Sequence, residues 1–333
     1  MPYSIGAVPL EVQTEDRLRR LLANLPVLTA LAVLVLFCVA TGLRHPGFLD
    51  RTVFWNILRD NAYLGIVAAG ETFVVLSGGI DLSVGAVVGL TTVCMAWLIT
   101  AGVHPLLAIG ICLLGGTLFG GAMGKVITTF KVPAFLVTLA GMFLARGLAY
   151  LISTDASTIS HPLYDQMTGL TWLAPAVFFG VVLIGHYLLN YRSFGRTVYA
   201  IGGSENSAVL MGLNPGRTKV GIYAISGFCA ALAGFAFTLY TPSGDPNAAV
   251  TLELDAITAV VIGGTLLIGG YGSLIGTVIG VLILGAIQTS LTYEENVSSW
   301  WSRIVVGGLL LLFLLVQKAV EKGALKLFNK KAG

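Results

Sequence analysis

Apolar residues run through this chain in ten blocks, at 22–43, 62–76, 82–98, 106–127, 134–152, 173–189, 220–239, 256–268, 274–291 and 304–316. A helix that crosses a bilayer needs about 20 mostly apolar residues. The blocks at 62–76, 256–268 and 304–316 fall short of that. The first of these extends backwards through Trp55, Ile57 and Leu58. The second is rich in glycine and has the pattern of a half-helix or re-entrant segment. The pattern predicts an all-α polytopic transmembrane bundle of about ten helices with broken or re-entrant Gly-rich segments. One transmembrane domain covers 22–317, flanked by short segments at 1–21 and 318–333.

Composition removes the soluble alternative. Of the residues, 56% are hydrophobic and 11% charged, against about 25% charged in soluble domains, and the mean hydropathy is +0.88. Of the 42 glycines, 25 lie inside the apolar blocks, as close helix contact in lipid requires. Cys38, Cys94, Cys112 and Cys229 are scattered and form no Cys-x-x-Cys pair. They are expected as small buried hydrophobes, with no metal site. A net charge of +3 is too small to point to nucleic acid. The charged stretch from Glu11 to Arg20 precedes a block long enough to span, and no small-residue cleavage site follows it.

Basic residues orient the chain. With ten spans and an inner N-terminus, fourteen of the nineteen Lys and Arg fall inside. Arg44, Arg51, Arg59 and Arg303 fall outside, and Arg146 falls within the fifth span. Both termini are therefore expected in the cytoplasm.

Asp81 stands among Ser77-Gly78-Gly79-Ile80-Asp81-Leu82-Ser83 between two apolar blocks. A carboxylate there marks a broken membrane segment, where free backbone groups face protein or water. Asp81 is expected to brace that break, with Ser77 and Ser83 meeting freed backbone groups. Arg146 is costly at mid-membrane, by about 2.5–3.5 kcal/mol. It calls for a partner among Asp81, Glu71 and helix carbonyls. Glu71 interrupts its own apolar block. A weak echo links Val74–Gly79 to Val260–Thr265, in the manner of repeated transporter halves.

The longest inner loop, 191–219, holds a short helix from Glu205 to Met211. Ser204 caps it, Gly212 stops it and Pro215 blocks its continuation. A docking element and an interfacial helix lying on lipid both fit this pattern.

Four blocks together resemble one family. They are Gly78-Gly79-Ile80-Asp81-Leu82-Ser83-Val84-Gly85, Leu139–Gly147, the stretch Ala200–Ala208 with Met211-Gly212, and Glu253–Ile257 continuing through Gly263-Gly264-Thr265 to Gly269-Gly270-Tyr271-Gly272-Ser273. Their order and spacing are similar to the sugar-import permeases of bacterial ABC transporters, the ribose, xylose and galactofuranose type. His161–Asp165 and Ser298–Trp301 are closest to the galactofuranose branch.

The resemblance implies a permease subunit that pairs with a second permease chain, as a heterodimer or a homodimer. A cytoplasmic ABC ATPase would bind below and a periplasmic sugar-binding protein above. Gly202, Gly203, Ser204, Glu205, Asn206, Ala208, Met211 and Gly212 would then form the ATPase-coupling segment. The chain has no Gly-x-x-x-x-Gly-Lys-Ser/Thr phosphate loop, so it is not an enzyme in this reading, and ATP and Mg belong to the partner. Glu71 departs from the family's apolar pattern at its position. A neutral sugar is held by hydrogen bonds and ring stacking. Asn61, Thr72, Tyr240 and Gln288 are the candidate contacts, beside Glu71, Ser77, Gly79, Asp81, Ser83 and Arg146 on the pathway or the helix break. Each could equally join helices. The competing reading is an ion-gradient-driven sugar transporter, which would use Asp81 and Glu71.

Overall fold

The computed structural model describes residues 10–294, 301, 303–312 and 315, with side chains from residue 27 onwards. Ser298, Ser299 and Trp300, and the lysines beyond residue 317, lie outside these residues. Nearly every residue of one helix, Ala62–Leu76, is buried. A helix apolar all round belongs at the centre of a bundle, and the others are arranged about it. In chain order they are α1 (Leu10–Arg44), α2 (Arg51–Asp60), α3 (Ala62–Leu76), α4 (Val84–Thr100), α5 (Pro105–Phe130), α6 (Ala134–Ile152), α7 (Pro162–Gly169), α8 (Leu173–Tyr191), α9 (Ser193–Gly203), α10 (Glu205–Leu210), α11 (Pro215–Tyr240), α12 (Leu252–Ile262), α13 (Leu274–Leu291) and α14 (Arg303–Leu312).

Among the described residues, six helices are long and apolar enough to cross a membrane: part of α1, and α5, α6, α8, α11 and α13. The shorter apolar helices are α3, α4 and α14. The block at 256–268 contains only α12, of 11 residues. Helices α3, α6 and α13 match their apolar blocks end to end. Helix α1 begins at Leu10, well inside the segment expected to precede the membrane.

The outer helices turn large side chains such as Leu36, Phe143, Leu151 and Leu183 to the surroundings, as a lipid-facing wall does. Inside, small residues bring backbones together. Gly120 of α5 faces α11, where a β-carbon would fall 2.1 Å from Tyr223 O. Without apolar solvent to expel, such close packing is what holds membrane helices together.

Two passages are broken. Between α3 and α4 the chain runs non-helically from Ser77 to Ser83. Between α12 and α13 it does so from Gly263 to Ser273. The segment entering α12 is also non-helical, a short strand followed by turns. Its start, β2 (Ser243–Gly244), pairs antiparallel with β1 (Ser157–Thr158), with Ser157 opposite Gly244. It then follows α4, with Gly244 against Ala96, Asp245 on Thr92 and Ala249 O beside Gly85. Ala96 to Gly85 is about 16 Å of helix rise, so α12 starts deep within the bundle.

Candidate functional site

The first break is built around Asp81. Helix α3 ends in a Schellman turn: Gly79 N donates to Val74 O at 3.0 Å and Gly78 N to Val75 O at 2.9 Å, with Gly78 at φ +78°. Asp81 is fully buried. Its Oδ1 accepts from Ser83 N at 2.9 Å and Ser83 Oγ at 2.6 Å, and its Oδ2 from Ser226 Oγ of α11 at 2.8 Å. Ser77 Oγ instead donates back to Val74 O at 2.7 Å. Thr138 of α6 donates to Ile80 O at 3.2 Å, fixing the break from the other side.

Glu71 is also fully buried, and its Oε1 accepts from Asp81 N at 3.1 Å. Glu71 Oε2 and the Tyr223 hydroxyl have no hydrogen-bond partner among the described residues.

Arg146 does not reach this cluster. Its Nη1 donates to Pro246 O at 2.5 Å and Ala248 O at 2.9 Å. Of the partners expected for it, carbonyls are the observed ones, and they belong to the turns before α12 rather than to a helix. Those turns have no helical ladder to satisfy their carbonyls, so one guanidinium nitrogen serves two of them. Beside it, Ala249 and Thr251 hold φ values of +57° and +72°, positions that only tight surroundings sustain.

Asn61, Tyr240 and Gln288 meet at the opposite end of the bundle from α9 and α10. With Asn56, Asp60 and Tyr63 they line a cleft of about 460 Å³. Thr72 is not among them. Its Oγ1 donates to Ala68 O at 2.7 Å and lies 2.8 Å from Thr277 Oγ1, so it joins α3 to α13. Sequence reasoning missed Asn56, Asp60 and Tyr63. The polar pair Asp60-Asn61 at the edge of an apolar block was the available signal.

At the α9–α10 end, Ser204 caps α10 as its sequence predicts, its Oγ accepting from Ser207 N at 3.2 Å. Gly212 follows at φ +78° and Pro215 opens α11. Lys219 Nζ donates to Glu205 Oε2 at 2.7 Å. Val209, Leu210 and Met211 are exposed, Leu210 at 89%, while Ala208 is fully buried. Ala208 seats α10 on the rest of the protein, beneath the exposed Val209, Leu210 and Met211. Asn206 and Gly203 are exposed. Gly202 packs directly against Leu76 and Gly270. Helix α9 is an addition to what the loop's sequence foretold. A cleft of about 550 Å³ lies between α10 and the first break, bordered by Glu205, Val209 and Lys219 on one side and Ser77, Gly79 and Tyr223 on the other.

A helical bundle with two broken passages, inward-turned polar groups and a capped helix projecting at one end is a polytopic membrane permease in class. The sequence matches the family described as branched-chain amino acid transport system, permease component, over residues 53–314. The chain belongs to that family. It is 46% identical to the inner membrane ABC transporter permease protein YjfF of Escherichia coli, over 89% of this chain and 93% of that one. It is 38% identical to the fructose import permease protein FruG of Bifidobacterium longum, over 89% and 91%. It is also 38% identical to the ribose import permease protein RbsC of Bacillus subtilis, over 86% and 90%. No solved structure matches.

Proposed function

We propose that this chain is the permease subunit of an ATP-driven sugar importer of the bacterial inner membrane, with both termini cytoplasmic. The carrying observation is the similarity, across nearly the whole chain, to permeases named for fructose and ribose import. The geometry supports it at both ends. The cleft of Asn61, Tyr240 and Gln288 offers amides and a phenol, the groups that hold sugar hydroxyls and stack on sugar rings. It forms the periplasmic entrance, where a sugar-binding protein delivers the substrate. Leu210 and its neighbours form the cytoplasmic dock for an ABC ATPase, which binds ATP and Mg. Gly202, Gly203, Ser204, Glu205, Asn206, Ala208, Met211 and Gly212 shape that coupling segment. A second permease subunit completes the pathway as a heterodimer.

Galactofuranose is the finer proposal for the substrate. What supports it is the sequence likeness of His161–Asp165 to that branch; in the structure the stretch serves packing, His161 Nδ1 accepting from Leu163 N at 3.2 Å and the buried Tyr164 donating its hydroxyl to Thr238 Oγ1. Asp81 has the role of brace and Glu71 that of its buried companion.

Reconstituted uptake tests this reading. The complex in liposomes should take up labelled sugar only with internal ATP, and collapse of proton and sodium gradients should leave uptake unchanged. Gradient-driven uptake by the purified chain without an ATPase would overturn it in favour of the ion-driven alternative.

A further inference from the structure

Glycines from three distant parts of the chain meet where the two breaks approach α9. Gly270 N donates to Leu76 O at 2.8 Å, tying the second break to the last carbonyl of α3. Gly269 sits at φ +87°, and a β-carbon there would fall 2.7 Å from Gly78 N. At Gly202, in the last turn of α9, a β-carbon would stand 1.9 Å from Leu76 O and 2.3 Å from Gly270 N. Those are backbone atoms, so no rotamer change makes room. One turn earlier, Tyr199 Oη donates to Gly272 O at 2.9 Å. Burial pushes the Tyr199 phenol up, keeping it a donor at neutral pH.

Small residues at a crossing often do no more than permit close packing. Here two features go further. The groups touched are the last carbonyl of α3 and the non-helical backbone of the second break rather than continuous helix faces. The touching helix also leads, through Ser204 alone, into the exposed α10. A displacement of α10 therefore has a short, stiff route to both breaks.

We propose that Gly202 is a positioning residue: its backbone contact makes α9 one lever on both broken hairpins, so that motion of α10 shifts the two breaks together. The proposal rests on α10 being the ATPase dock. It extends that reading from where the partner binds to how its stroke enters the bundle.

The test uses the complex purified from its native membrane, in nanodiscs. The reporter is a cysteine at Gln288, in the far cleft, labelled with a maleimide in the presence and absence of a non-hydrolysable ATP analogue. Gly202→Ala is expected to cut the nucleotide-dependent change in labelling at least about threefold, measured per complex that retains its ATPase. Tyr199→Phe should give a smaller loss of the same sign. Gly180→Ala, whose β-position faces open space among the described residues, should match wild type. If Gly202→Ala does not insert, Tyr199→Phe decides alone. Full labelling change in both variants overturns the lever while the dock stands. A wild-type chain that never retains an ATPase overturns the dock, and the lever with it.

Discussion

Asp81 is the residue on which the first break turns. It gathers one backbone N–H and two hydroxyls, one of them from Ser226, 145 positions away. Leaving a buried donor unmet costs about 1–3 kcal/mol, so a change that strips all three is severe. Asp81→Ala is expected to lower the melting temperature of the detergent-solubilised protein markedly, with Asp81→Asn intermediate because one acceptor oxygen remains. An Asp81→Ala protein that melts like wild type would show that the brace is not needed. The contrast with Thr72 is instructive. Both residues are polar, buried and placed in apolar surroundings, but Thr72 meets one helix carbonyl and one hydroxyl, an ordinary helix-to-helix tie worth about 0.6 kcal/mol.

At the scale of elements, α10 is the clearest case of a feature legible beforehand. Ser204, Gly212 and Pro215 fix its ends by local chemistry, and the structure has it where that chemistry requires. Its outward face was less legible, because a six-residue helix carries too few positions to tell its seated side, where Ala208 lies, from its free one. Leu210→Glu should leave the fold unchanged, since Leu210 is 89% exposed, and should weaken ATPase co-purification. Unaltered co-purification would remove α10 from the dock. The echo between Val74–Gly79 and Val260–Thr265 gains a physical basis. Gly264 N donates to Val261 O at 2.9 Å and Thr265 N to Val260 O at 3.2 Å, the same turn that closes α3, with Gly264 at φ +91°. What stayed hidden was long-range: Arg146 and the segment at 246–248 are joined by no sequence signal, because a carbonyl acceptor belongs to every residue type.

For the whole molecule, the distribution of basic residues gives a direction that can be checked. A cysteine placed at Leu210, with native cysteines replaced, should react with an impermeant maleimide only from the cytoplasmic side; reaction from the periplasm would invert the arrangement. Apolar blocks foretold the central bundle because burial in lipid demands length and hydrophobicity together. They could not foretell the entry to α12, which trades length for side-chain support. That trade bears on biogenesis. An 11-residue apolar stretch is too short for the insertion machinery to release into lipid as an independent unit, and its non-helical approach would expose bare amides to the acyl chains. Its main neighbours are α3, made earlier, and α13, made later, so α12 should settle only once α13 has followed it into the bundle.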